Sequence, residues 1–140
     1  MKAHLTRRYW FSASHRLHSD VMTEEENRRT YGKCNNPHGH GHNYALEVTV
    51  SGQVDPQTGM VCNIVDLDES VERTVLDRFG HENLNMVADF EDRVPTTENL
   101  CRAIFEILQR EFTVAHLEKV RLEETMMNSF EYAGRAEVLK

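Results

Sequence analysis

An α+β fold is predicted for this chain, and three observations carry the prediction. Residues Tyr44 to Val50 and Lys119 to Glu123 alternate apolar and polar side chains with period two, as half-buried strands do. Two stretches between them carry apolar stripes at helical spacing. The resulting order is a strand, a hairpin, two helices and a second hairpin. Antiparallel strands with helices inserted between them argue for α+β and against a doubly wound sheet. The 140 residues make one domain (1–140), with no repeat and no interdomain linker.

Residues 3 to 13 hold Leu5, Tyr9, Trp10 and Phe11, and read as a strand ending in Ser12-Ala13-Ser14-His15. Residues 16 to 33 are polar and charged and read as a surface loop with room for a helical turn. The alternating strand 44–50 leads to a turn at Asp55-Pro56-Gln57-Thr58-Gly59. Met60 to Ile64 then reads as a short returning strand, so 44–64 is expected to be a hairpin. A helix is expected next, with Asp66 and Asp68 near its start, a stripe of Leu67, Val71, Val75, Leu76 and Phe79, and Gly80 at its end. The second helix starts at Thr96-Thr97-Glu98-Asn99, where threonine caps and Glu98 suits the first turn. Its face is Leu100, Ile104, Ile107 and Leu108. The last hairpin turns at Met127-Asn128-Ser129 and returns over 130–138.

Composition narrows the function classes. With 16 basic and 23 acidic side chains the formal net charge is −7, which disfavours nucleic acid as the main partner. It leaves a small anionic substrate open, because Arg28-Arg29 can act locally. Cys34, Cys62 and Cys101 are odd in number and far apart, so they do not form a disulfide framework. A reducing compartment, the cytoplasm, is expected. Neither a signal peptide nor a membrane-spanning apolar run is visible.

The chemistry concentrates in Cys34-Asn-Asn-Pro-His-Gly-His-Gly-His-Asn-Tyr44. Histidine is the commonest metal ligand, and a strand sends residues i, i+2 and i+4 to one face. Candidate ligands are His15, His18, His38, His40 and His42. A catalytic zinc keeps three protein ligands and one open position. A His-x-His pair supplies two of them, and His15, at the end of the first strand, is well placed for the third. Gly39 and Gly41 allow close backbone approach. The competing reading is a set of exposed loop histidines. Cys34 acts as a base only as thiolate, and Lys33 beside it favours that form; by itself the position fits an inert buried thiol better. Cys62 and Cys101 are assigned to packing. His81 lies in a loop just past a helix end. Of Glu123 and Glu124, alternation sends one outward and one inward, and the inward one needs a partner.

Taken together these segments resemble the 6-pyruvoyltetrahydropterin synthase family over nearly the whole chain. The resemblance is carried by Phe11-Ser12-Ala13-Ser14-His15-Arg16-Leu17, by Gly32-Lys33-Cys34-Asn35-Asn36-Pro37, and by Gly39-His40-Gly41-His42-Asn43-Tyr44. Asp55-Pro56, Thr58-Gly59-Met60-Val61, Asp66-Leu67, Thr96-Thr97-Glu98-Asn99 and Glu124-Thr125 extend it. It implies the T-fold, an antiparallel four-stranded sheet with two helices on one face, whose trimers close into a β-barrel and stack as a homohexamer. It also implies Zn²⁺ on His15, His40 and His42, with His38 as an extra histidine. The implied substrate is 7,8-dihydroneopterin triphosphate, held at its pterin by Glu124 with Thr97 and Glu98. Cys34 would be the general base and His81 the second proton-transfer group.

One position departs from the family. An aspartate usually precedes this histidine, and here Gly80 stands in its place; Asp77 or Glu82, or a neighbouring subunit's carboxylate, is expected to substitute. The sister activity, 6-carboxytetrahydropterin synthase of 7-deazaguanine (queuosine) synthesis, shares the substrate but releases acetaldehyde with the triphosphate. The Cys-Asn-Asn-Pro and Thr-Gly-Met-Val stretches look closer to the biopterin-type enzymes. A non-catalytic zinc- or pterin-binding homologue is the third alternative.

Overall fold

The computed structural model describes residues 1–135. Strands β1 (Lys2–His15), β2 (His40–Gln53), β3 (His116–Thr125) and β4 (Asn128–Tyr132) form one antiparallel sheet in the order β1-β2-β3-β4. The β1–β2 register sets Phe11 opposite Tyr44, Ala13 opposite His42, and His15 opposite His40. Directly opposed residues share a face, so these six side chains stand on one side of the sheet. Leu46 opposite Leu122 extends that face across β3.

Helices cover this face. The segment after β2 is helical from Ile64 to Phe79: α2 (Ile64–Val71), a π-helical turn (Glu72–Leu76) and α3 (Asp77–Phe79). Leu67, Val71, Val75 and Phe79 are fully buried, each four residues from the next. Four-residue steps drift around a 3.6-residue helix; the wider π turn offsets the drift and keeps the stripe on the core. Helix α4 (Thr97–Glu111) buries Leu100, Ile104, Ile107 and Leu108 as expected, and the Thr96 hydroxyl caps it by accepting the Asn99 N–H at 3.1 Å. The other sheet face is polar, with the Thr6–Thr49 hydroxyl pair and Glu47 between Arg8 and Arg121. Trp10 stands on that face, 68% exposed. No helix among the described residues is long and apolar enough to cross a membrane.

Three local expectations are corrected. Residues 60–63 form no strand, so 44–64 is not a hairpin. β2 already pairs with β1 on one edge and β3 on the other, which leaves no edge for a returning strand. The turn itself is present, since the Asp55 N–H donates to Met60 O and the Gly59 N–H to Asp55 O. The helix starts earlier than expected, at Ile64, because the Asn63 side chain caps it by accepting the Val65 N–H. Within 16–33 there is a full helix, α1 (Glu24–Tyr31), opened by a reciprocal capping box between Thr23 and Glu26. That Thr-x-x-Glu signal was present in the sequence. β4 returns over 128–132, and 136–138 lie outside the described residues.

Candidate active site

The site forms where β1 ends and β2 begins. His15 is 1% exposed, and its Nδ1–H donates to Pro95 O at 2.7 Å. That bond fixes the ring and leaves Nε2 as the lone-pair nitrogen. His15 Nε2 lies 3.1 Å from His40 Nε2. The His15–His42 and His40–His42 ring centroids are 5.0 and 4.8 Å apart, and one nitrogen from each ring falls within 4.8 Å of the others. Tetrahedral zinc with nitrogen ligands separates them by about 3.3 Å, so the donor set fits such an ion after small ring rotations. His42 Nε2 adds a second observation. It is buried and lies 3.1 Å from Glu124 Oε1, but out of line for a hydrogen bond, and so has no hydrogen-bond partner among the described residues. A buried imidazole nitrogen without a partner costs free energy unless something coordinates it. Burial, more than the neighbouring imidazoles, lowers the pKa of His15 and His42 and favours their neutral, metal-binding form; Glu124 opposes the shift in both.

Glu124 is the inward carboxylate of its pair. The β3–β4 register shifts between Glu123 and Thr125, a bulge of the kind that re-aims a side chain beside a site. Glu123 turns toward Arg121 on the outer face. The Thr97 hydroxyl, buried in the first turn of α4, donates to Glu124 Oε2. Cys34 lies in a 3₁₀ turn (Gly32–Asn35) whose Cys34 O accepts the Leu17 N–H at 2.8 Å, joining it to the chain just after His15. Its thiol is half-buried. Burial, and then the Glu124 charge, push its pKa up.

The structure thus brings His15, His40, His42, Glu124 and Thr97 together, and the Leu17 N–H bond to Cys34 O ties the cysteine turn to the chain just after His15. It does not recruit the other candidate ligands. His18 turns to the Asn35 side chain and toward Asp20, and His38 is exposed. Glu98 and His81 are exposed, and neither has a hydrogen bond or ion pair to these groups among the described residues. His81 has φ +62, and its N–H donates to Ser12 O. At Gly80 a Cβ would lie 2.5 Å from Leu76 O. The absent aspartate is therefore excluded by the backbone as it stands. Asp77 and Glu82 are both exposed, and neither bonds His81 among the described residues. Of the two glycines between the histidines, only Gly39 needs its freedom: φ is +73, and a Cβ would meet His15 O at 3.1 Å. Cys62 and Cys101 are buried packing residues, and burial pushes Cys101 up to about 12.

Sequence reasoning missed three supports. Tyr44 is fully buried and stacked on Phe11 at 5.0 Å, and its hydroxyl has no hydrogen-bond partner among the described residues. Asn85 clamps the backbone after His15, accepting the Arg16 N–H at 2.7 Å and donating to Arg16 O at 2.8 Å. Pro95 contributes only a carbonyl, which no side-chain pattern announces.

Comparison with known proteins agrees with this geometry. A human protein named 6-pyruvoyl tetrahydrobiopterin synthase is 48% identical over 134 residues, 95% of this chain and 92% of its own. The structure of Caenorhabditis elegans 6-pyruvoyl tetrahydropterin synthase superposes with a TM-score of 0.91 at 40% identity, covering 96% of this chain and 97% of that one. An Archaeoglobus fulgidus protein assigned as a 6-carboxy-5,6,7,8-tetrahydropterin synthase is 41% identical over 69 residues, only 49% of this chain and 55% of its own. The four-stranded antiparallel sheet with its helices is the T-fold of these enzymes. The family model for 6-pyruvoyl tetrahydropterin synthase matches residues 4–135, which span every element above, and the chain belongs to that family.

Proposed function

We propose that the protein is a zinc-dependent lyase that converts 7,8-dihydroneopterin triphosphate to 6-pyruvoyltetrahydropterin with loss of triphosphate. The observation that carries this reading is the convergence of three imidazoles, 4.8 Å or less between donor atoms, on the Glu124–Thr97 pair. Whole-length similarity to proteins named for that activity supports it over the carboxy-forming alternative, where similarity covers half the chain.

His15, His40 and His42 would hold Zn²⁺, which supplies Lewis-acid polarisation of the substrate's side-chain hydroxyls. Glu124 accepts from the pterin amino and ring N–H groups, with Thr97 fixing its second oxygen and Glu98 assisting from the α4 start. Donors on Glu124 neutralise part of the charge that holds the Cys34 thiol protonated. Cys34 then takes a proton from the side-chain carbon, and His81 handles proton transfer on the opposite face. Triphosphate leaves with the electron pair of its C–O bond, and tautomerisation completes the product. The long, open β1 edge suits pairing with a second copy, and the assembly is a homohexamer of two trimers whose sheets close into a barrel. Three free cysteines support a reducing compartment, the cytoplasm.

Incubation of the zinc-loaded protein with dihydroneopterin triphosphate tests the reading. Pyruvoyl product with triphosphate release is expected. Carboxy product with acetaldehyde would move the protein to the sister activity, and no release at all would make it a binding homologue.

A further inference from the structure

A second feature lies against the same chain segments and has no part in the chemistry above. Arg16, Arg28 and Lys33, with Asn35 and Asn36, line an open cleft of about 490 Å³, within the size range of small-molecule sites. Among the described residues, Glu24 is the single carboxylate in its wall. Three cations against one carboxylate make the cleft locally positive in a chain whose net charge is −7. Arg7, Arg8, Arg78, Arg102, Arg110, Lys119 and Arg121 all have ion-pair partners. Arg16, Arg28 and Lys33 have none among the described residues. Arg28 lies in the last turn of α1, where a cation offsets the helix dipole. Arg29 serves that purpose equally and does not line the cleft.

The cleft is also preorganised. Arg16 Nε donates to Asn35 O at 3.1 Å, and the buried Asn35 amide donates to Leu17 O at 2.7 Å. These bonds lock the Cys34 turn to the chain leaving β1. Arg16 follows His15, and Lys33 precedes Cys34. We propose that this cleft binds an oligophosphate, with Arg16, Arg28 and Lys33 as its cationic contacts. Arginine forks suit phosphate oxygens bidentately, and lysine adds a point charge. The ligand is either the triphosphate tail of a substrate or the free anion; the site stands on its own residues, and only the first source rests on the proposed function.

The test is calorimetric titration of the purified protein with inorganic triphosphate. The wild type should bind one anion per chain. The Arg28→Gln/Lys33→Gln double variant, altered at two exposed positions, should bind about tenfold more weakly or worse. Arg73→Gln, at an exposed cation that does not line the cleft, should bind as wild type. Absence of saturable binding overturns the proposal, and so does equal affinity in the double variant, which would assign the anion to bound metal or to general charge. A rise in KM for dihydroneopterin triphosphate that exceeds any fall in kcat identifies the substrate's tail. Unchanged KM with weaker inhibition by triphosphate identifies the free anion. If the protein does not turn that substrate over, the proposed function fails while the titration still decides the cleft.

Discussion

In the proposed function Cys34 and Glu124 set opposing demands. Glu124 would accept pterin N–H groups, yet burial, and then the Glu124 charge, raise the thiol's pKa. Replacing Cys34 by alanine removes the proposed base and none of the imidazoles. Triphosphate release should fall by about 10²–10⁴-fold, while zinc measured by atomic absorption stays at the wild-type ratio; loss of zinc in Cys34→Ala would show that the thiol is a ligand. Glu124→Gln keeps the shape and the Thr97 contact but loses the charge. Its KM should rise by about tenfold or more, since hydrogen bonds to a charged acceptor contribute about 1.5–3 kcal/mol. An unchanged KM would mean that the pterin sits elsewhere.

At the scale of elements, the helical segment that ends at Gly80 and the strand it covers make two separate demands. A Cβ at Gly80 would press on backbone, which cannot move aside as a side-chain tip can. Gly80→Asp should therefore destabilise the fold by roughly 1–3 kcal/mol and not improve turnover. Thermal unfolding and a rate measurement check both, and a faster, equally stable variant would show that the segment relaxes freely. β1 and α2 are tied by Asp68, which accepts two bonds from Arg7 at 2.9 and 2.8 Å and one from the Tyr9 hydroxyl at 2.7 Å. The Arg7 bonds, then the Tyr9 bond, hold the Asp68 pKa below the ordinary carboxylate value. Its contribution to stability is thus full above about pH 4 and is lost as pH falls through the lower folded value. Asp68→Asn should unfold at lower temperature than wild type at neutral pH, with the gap closing in acid. A gap independent of pH would assign the effect to packing.

At the scale of the whole molecule, β1 is a 14-residue edge strand, while β4 at the other edge has only five residues. A long open edge is an aggregation hazard unless it is paired or covered. Light scattering should return six times the chain mass; a stable monomer would overturn the assembly and any reading that needs a neighbour's carboxylate at His81. The four strands, both core helices and the threonine cap of α4 were legible because alternation and helical stripes are local patterns, written residue by residue. The 44–64 hairpin was misread because a strand's partners are a long-range property. Histidine spacing marked His40 and His42, since a strand's period is fixed by its backbone. His15 needed the β1–β2 register, which alone sets it opposite His40. By itself the sequence determined the α+β class, the histidines of the candidate metal cluster and, by resemblance, the family. Tertiary structure decided which carboxylate turns inward at the β3 bulge, which carbonyl orients His15, and that a Cβ at Gly80 would crowd Leu76 O. Each of these is a contact between residues distant in sequence or a backbone path set by such contacts, and both exist only once the chain has closed on itself.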